Sequence, residues 1–153
     1  MVDKRILEQV IQDQHNEIVA LRSEKLCSRK EEEQVDLDCN MAQVVIGVRR
    51  SGKSSLCFNV LNKRTKNFAY ANFDDERLAG LQTSDLNVVL EVLYKIYGDF
   101  KYLFLDEIQN VEGWHLFVNR LLRQRLHIVV TGSNAKLLSG ELATHLTGRN
   151  DQI

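Results

Sequence analysis

The sequence predicts an α/β fold, a parallel sheet with helices on both faces. Three observations predict it. Short runs of β-branched and aromatic residues recur at residues 42–46, 67–73, 102–105 and 127–131. Between them lie segments whose apolar residues repeat at helical spacing. Polar residues suited to phosphate and metal chemistry follow several of the runs, where parallel sheets of this kind bind their ligands. Strands alternating with amphipathic helices give a layered sheet rather than a bundle or a sandwich of two sheets.

The elements can be justified in order. Asp3 can cap a helix whose Ile6, Leu7, Val10, Ile11, Ile18 and Leu21 form one stripe, interrupted by Gln14, His15 and Asn16. His15 is read as a solvent-side residue. Residues 23–40 carry Arg29-Lys30-Glu31-Glu32-Glu33 and then Asp36 and Asp38, a solvated connector. The chain therefore divides into an N-terminal helix and connector, 1–40, and a core, 41–153. The first strand, about 42–46, leads into a glycine-containing loop and a helix reaching about Asn62. The second, 67–73, alternates Phe68, Tyr70 and Asn72 with Ala69, Ala71 and Phe73 and runs into Asp74, Asp75 and Glu76, read as turn and cap residues. Ser84 is expected to cap a helix bearing Leu86, Val89, Leu90, Leu93, Ile96 and Tyr97, with Gly98 ending it. The continuous apolar run Tyr102-Leu103-Phe104-Leu105 suits a buried parallel strand. Trp114, Phe117, Val118, Leu121 and Leu122 form the next stripe, with Trp114 in the core. A fourth strand at 127–131 precedes a last helical region holding Leu137, Leu138, Leu142 and Leu146.

The bulk composition sets limits. The chain has 153 residues, 44% hydrophobic and 27% charged, enough for one domain with a proper core. A net charge of −1 gives no global basic field for nucleic acid. Cys27, Cys39 and Cys57 form no CxxC pair and leave an odd count, which suits a reducing compartment. No apolar run approaches the ~20 residues of a membrane span, and the amino terminus is too polar for a secretory signal. The expected setting is cytoplasmic, with no membrane partner. Proline is absent, so helix ends must be read from Gly, Ser, Asn and Asp.

The chemistry centres on residues 47–55, GVRRSGKSS, which fit GxxxxGK(S/T). The motif lies between an apolar strand and a helix, the context a phosphate-binding loop (Walker A) requires. The backbone N–H groups of Gly47, Val48, Arg49, Arg50, Ser51, Gly52, Lys53, Ser54 and Ser55 would surround an anion, helped by the helix N-terminus. Lys53 would reach the β- and γ-phosphates, and the Ser54 hydroxyl would hold Mg²⁺. The fold expected is therefore a P-loop NTPase three-layer sandwich.

Asp106 and Glu107 follow the third strand directly. Asp106 can hold Mg²⁺ as in Walker B sites, and Glu107 can polarise the attacking water. Gln109 and Asn110 are near enough to contact substrate or neighbouring loops. After the fourth strand, Asn134 or Ser133 is the candidate for sensing the γ-phosphate, with helix capping as the alternative role. Arg149 is a candidate for an arginine supplied across a subunit interface. Arg120, Arg123 and Arg125 are read as a solvated face. No guanine-reading NKxD motif is visible; Asn62-Lys63-Arg64-Thr65 lacks the aspartate, so ATP is preferred over GTP.

The pieces GVRRSGKSS, YANFDDERL, YLFLDEIQNVEGW and IVVTGSNAKLLSGELATHLTGR, covering residues 42–149, resemble prokaryotic AAA+ ATPases in which an AAA core precedes a poorly characterised C-terminal domain. The resemblance implies ATP and Mg²⁺ as ligands, Walker B roles for Asp106 and Glu107, a sensor-1-like role for Ser133 or Asn134, and homo-oligomers with an arginine acting in trans. Such proteins continue into a further strand, lid helices and a second domain. This chain is therefore expected to be a truncated core lacking the last core strand and the lid, with one side of the first strand unpaired. Two functions remain open at this level: Mg²⁺-dependent ATP hydrolysis, or a nucleotide-binding or interaction module without significant turnover. A small-molecule phosphotransferase and a nucleic-acid-stimulated ATPase are ranked behind them. A protein or nucleic-acid partner is compatible with the sequence and is not named by it.

Overall fold

The computed structural model describes residues 3–22, 42–46, 53–65, 67–132 and 149–152. In chain order these form α1 (Lys4–Arg22), β1 (Gln43–Ile46), α2 (Lys53–Arg64), β2 (Phe68–Asn72), α3 (Leu86–Tyr97), β3 (Tyr102–Asp106), α4 (Trp114–Arg123), β4 (His127–Gly132) and β5 (Arg149–Gln152). The strands make one sheet in the order β2-β3-β4-β1-β5, and every pairing is parallel. Parallel neighbours need a crossover, and α2, α3 and α4 lie in the connections from β1 to β2, β2 to β3 and β3 to β4. The α/β class expected from the sequence is what the chain adopts.

Period-two alternation sorts the core onto two faces. Ala69 and Ala71, Leu103 and Leu105, Ile128 and Val130, and Val44 face a layer built from α1, α3 and α4. Phe68 and Tyr70, Phe104, Val129 and Val45 face α2, through Leu56, Cys57, Phe58 and Leu61. On that second face four aromatic rings meet. Phe58 of α2 lies 5.1 Å from Tyr70, 5.3 Å from Phe104 and 6.1 Å from Phe68, measured between ring centroids. Trp114 is fully buried in the first layer, as its place in the helical stripe requires.

α1 passes beside β2, an edge strand of this sheet. Its Leu7, Val10 and Ile11 join one face and its Ile18 the other. Between them, Gln14 fills the gap that the apolar stripe leaves. Its side-chain amide donates to the Asn72 carbonyl and accepts from the Asn72 N–H, both at 3.0 Å. A side-chain amide thus pairs with the strand as another strand would, and blunts an edge that could otherwise recruit a foreign chain. Asp3 caps α1 as expected, accepting from the Arg5 N–H at 2.9 Å. Asp75 caps the 3₁₀ turn Glu76–Leu78. Its partner Arg77 also reaches Asp13 on α1, at 2.7 Å.

Two expectations are corrected. β1 is not open on one side: β5 pairs with it, Gln43 opposite Arg149 through Ile46 opposite Gln152. The segment Arg-Asn-Asp-Gln is wholly polar and carries no strand signal, yet backbone pairing needs only its N–H and C=O groups. Ser84 does not cap α3. It lies inside the 3₁₀ turn Thr83–Asp85, and the reciprocal bonds are made by Gln82 and Asp85. Gly98 ends α3 with φ of 75°, a conformation glycine adopts without steric cost. The last helical region expected, with Leu137, Leu138, Leu142 and Leu146, lies outside the described residues, as does the connector at 23–40.

Candidate functional site

The strand order brings the carboxyl ends of β3, β4 and β1 side by side. β1 ends at Ile46 and α2 begins at Lys53. The intervening Gly47, Val48, Arg49, Arg50, Ser51 and Gly52 lie outside the described residues. Lys53, Ser54 and Ser55 form the first turn of α2 by their backbone. Asp106 is the last residue of β3, two strands from β1, a lateral offset of about 10 Å. The start of α2 and the two acids therefore share one rim of the sheet. Ser133 and Asn134 fall outside the described residues. Arg149 opens β5 opposite Gln43, at the amino-terminal rim, three residues of strand or about 10 Å from the carboxyl end of β1.

Asp106 and Glu107 are buried, with 3% and 6% exposure. Burying two adjacent carboxyl groups is costly unless hydrogen bonds satisfy them. The Tyr70 hydroxyl donates to Asp106 Oδ2 at 2.9 Å, and the Thr131 hydroxyl donates to Oδ1. Tyr70, Asp106 and Thr131 come from three neighbouring strands and lie on the α2 face, because each follows the parity of a residue packed there. Burial, then the neighbouring Asp106 charge and the hydrogen bond to it, push the Tyr70 hydroxyl well above its usual pKa of 10.0. It stays a donor.

Thr131 also accepts from the Glu107 N–H, at 3.0 Å. Glu107 has φ of 55° and ψ of 45°, a left-handed conformation that costs a non-glycine residue roughly 1–2 kcal/mol. Its Oε2 accepts from Gln109 Nε2 at 2.7 Å. Residues kept in such backbone geometry are often found where a side chain has to be aimed. Around the acids the turn is tied down by the Phe73 N–H on the Asp106 carbonyl, 2.9 Å, and by Asn110 Nδ2 on the Phe73 carbonyl, 3.1 Å. Gln109 thus contacts an acid, while Asn110 holds a neighbouring turn.

Sequence reasoning found both acids and missed Tyr70 and Thr131. A usable signal existed for each. Tyr70 precedes the end of β2 by two residues and sits diagonally across from Asp106, within reach of a long side chain. Thr131 ends the apolar run Ile128-Val129-Val130 of β4, beside the acids. Arg120 bonds Asn87 at 2.8 Å and lies over the Phe117 ring.

The sequence profile of the family described as "AAA domain" matches residues 40–153. An uncharacterized protein of Methanocaldococcus jannaschii is 43% identical over 152 residues, covering 98% of this chain and 33% of that protein. An uncharacterized protein of Haemophilus influenzae is 39% identical over 124 residues, covering 76% of this chain and 31% of its own length. The chain spans about a third of the length of these curated relatives. The family match suggests nucleotide binding of the ATPase type. Among the described residues, no helix is long and apolar enough to cross a membrane.

Proposed function

Because the chain belongs to the AAA domain family, we propose that it binds ATP with Mg²⁺ through residues 47–55 and hydrolyses it at the rim formed by β1, β4 and β3. The observation that supports this best is the buried Asp106–Glu107 pair on the same rim as the start of α2. The donor set fits the metal. Carboxylate and hydroxyl oxygens are the hard ligands Mg²⁺ takes, and the Tyr70 and Thr131 hydroxyls orient Asp106 as outer-shell groups orient metal ligands.

In this reading Lys53 and the loop N–H groups bind the β- and γ-phosphates, and Ser54 and Asp106 hold the metal. When bound, Mg²⁺ would neutralise charge on the phosphate oxygens. Glu107 orients a water in line with the γ-phosphorus and accepts its proton. The leaving group is ADP. Asn134 senses the γ-phosphate. Arg149 begins at the opposite rim, so the pocket it would complete is a neighbouring subunit's in a homo-oligomer. A cytoplasmic setting belongs to the same proposal, resting on the odd cysteine count with no CxxC pair.

The test compares two variants. Glu107→Gln should keep ATP binding and lose about 10²–10⁴-fold in turnover, the usual contribution of a positioned base. Lys53→Ala should abolish ATP binding in a fluorescence titration. Equal loss of binding and turnover in Glu107→Gln would refute the role given to Glu107, and unchanged affinity in Lys53→Ala would refute the loop.

A further inference from the structure

We propose that Thr131 is a positioning residue: its one hydroxyl holds Asp106 and Glu107 in a single relative geometry and so couples metal binding to water activation. This rests on the ATPase reading above and adds to it a residue that touches neither phosphate nor water. A hydroxyl has one proton to give and two lone pairs that accept. Thr131 gives its proton to Asp106 Oδ1 and accepts the Glu107 N–H. The two acids are sequence neighbours, yet they are joined through a side chain on another strand.

Thr131 is suited to this by chemistry and place. It is fully buried in β4, the strand between β3 and β1. Branching at Cβ restricts its χ1, so the hydroxyl is held with little freedom. The Glu107 N–H it binds belongs to a left-handed residue, whose conformation aims the carboxylate. Tyr70 gives its one hydroxyl proton to the other oxygen of Asp106, so it clamps the metal-holding acid and has none left to donate to the water-orienting one. The two hydroxyls therefore predict different kinetic signatures. A buried threonine that only filled space would predict none.

The experiment uses the whole chain and four variants. Thr131→Val keeps the shape and removes donor and acceptor; Thr131→Ser keeps the hydroxyl; Tyr70→Phe removes one bond to Asp106; Thr131→Ala replaces Thr131→Val should the latter fail to fold by circular dichroism. Two quantities are read: affinity for a fluorescent ATP analogue in EDTA and across a Mg²⁺ titration, and kcat and KM across the same titration. Thr131→Val should bind the analogue in EDTA within about twofold of the original chain. Its half-saturating Mg²⁺ should rise and its kcat fall, each by about 10–100-fold, the cost typical of removing an outer-shell partner. KM for ATP should barely move, and Thr131→Ser should restore most of both losses. Tyr70→Phe should raise the Mg²⁺ requirement while losing less kcat at saturating Mg²⁺ than Thr131→Val. Variants that lower the melting temperature yet leave Mg²⁺ requirement and kcat unchanged overturn this proposal alone. A parent chain with no ATP-dependent signal overturns the ATPase reading and this proposal with it.

Discussion

Replacing Gln14 by leucine should cost this domain a large share of its stability, although Gln14 lies on a helix that looks peripheral. The side chain is 2% exposed, and its amide makes both a 3.0 Å bond to the Asn72 carbonyl and a 3.0 Å bond from the Asn72 N–H. Leucine fills a similar volume and makes neither. Each buried backbone group left without a partner costs roughly 1–3 kcal/mol. Two such groups give about 2–6 kcal/mol, against the 5–15 kcal/mol, roughly, that holds a domain together. At about 2–4 °C per kcal/mol for a chain of this size, the midpoint should fall by about 4–24 °C. Urea denaturation followed by circular dichroism measures the free energy, and a thermal scan the midpoint. Gln14→Glu sharpens the test. At neutral pH it sets a carboxylate oxygen against the Asn72 carbonyl, and acidification, by returning a donor, should recover part of the loss. A Gln14→Leu change under about 0.5 kcal/mol, the range of ordinary surface substitutions, would refute the view that this amide closes the edge of β2.

Two further outcomes are expected. Gly113→Ala should destabilise by about 2 kcal/mol, because φ is 76° and the new Cβ would meet the Thr83 hydroxyl; the denaturation midpoint checks it, and combining it with Thr83→Ala should relieve the steric part. Arg77→Met should flatten the acid limb of the stability curve. Hydrogen bonds from Arg77 hold Asp13 and Asp75 below their ordinary 3.8, so the stabilisation is complete above that value and is lost as pH falls through the lower folded values. Urea midpoints between about pH 2 and 5 read the difference.

Much of the architecture was legible because its signals are local. Four strands are apolar runs, and the α3 and α4 stripes follow helical spacing onto the side that the core occupies. The acids were legible because a strand ends at Asp106 and chemistry collects at strand ends. What escaped was made by pairing across distance. Gln14 reads as a break in a stripe until β2 is known to lie against it. β5 has no apolar residue, so only its pairing with β1 defines it. Tyr70 and Thr131 read as parts of two strands, and their role exists only once β2, β3 and β4 are adjacent. Nor does the family match, which begins at residue 40, reach α1, although Leu7, Val10, Ile11 and Ile18 are core residues.

The ring cluster around Phe58 has a mechanical consequence. Phe58 belongs to the helix that opens with Lys53, and Phe104 to the strand that finishes with Asp106, with their rings 5.3 Å apart. The spacing of lysine from aspartate is thereby gauged by an oily joint beneath the rim. In the proposed site, a trimmed ring at Phe58 would let that spacing drift, and an ATPase assay would score the loosened packing as a defect in chemistry.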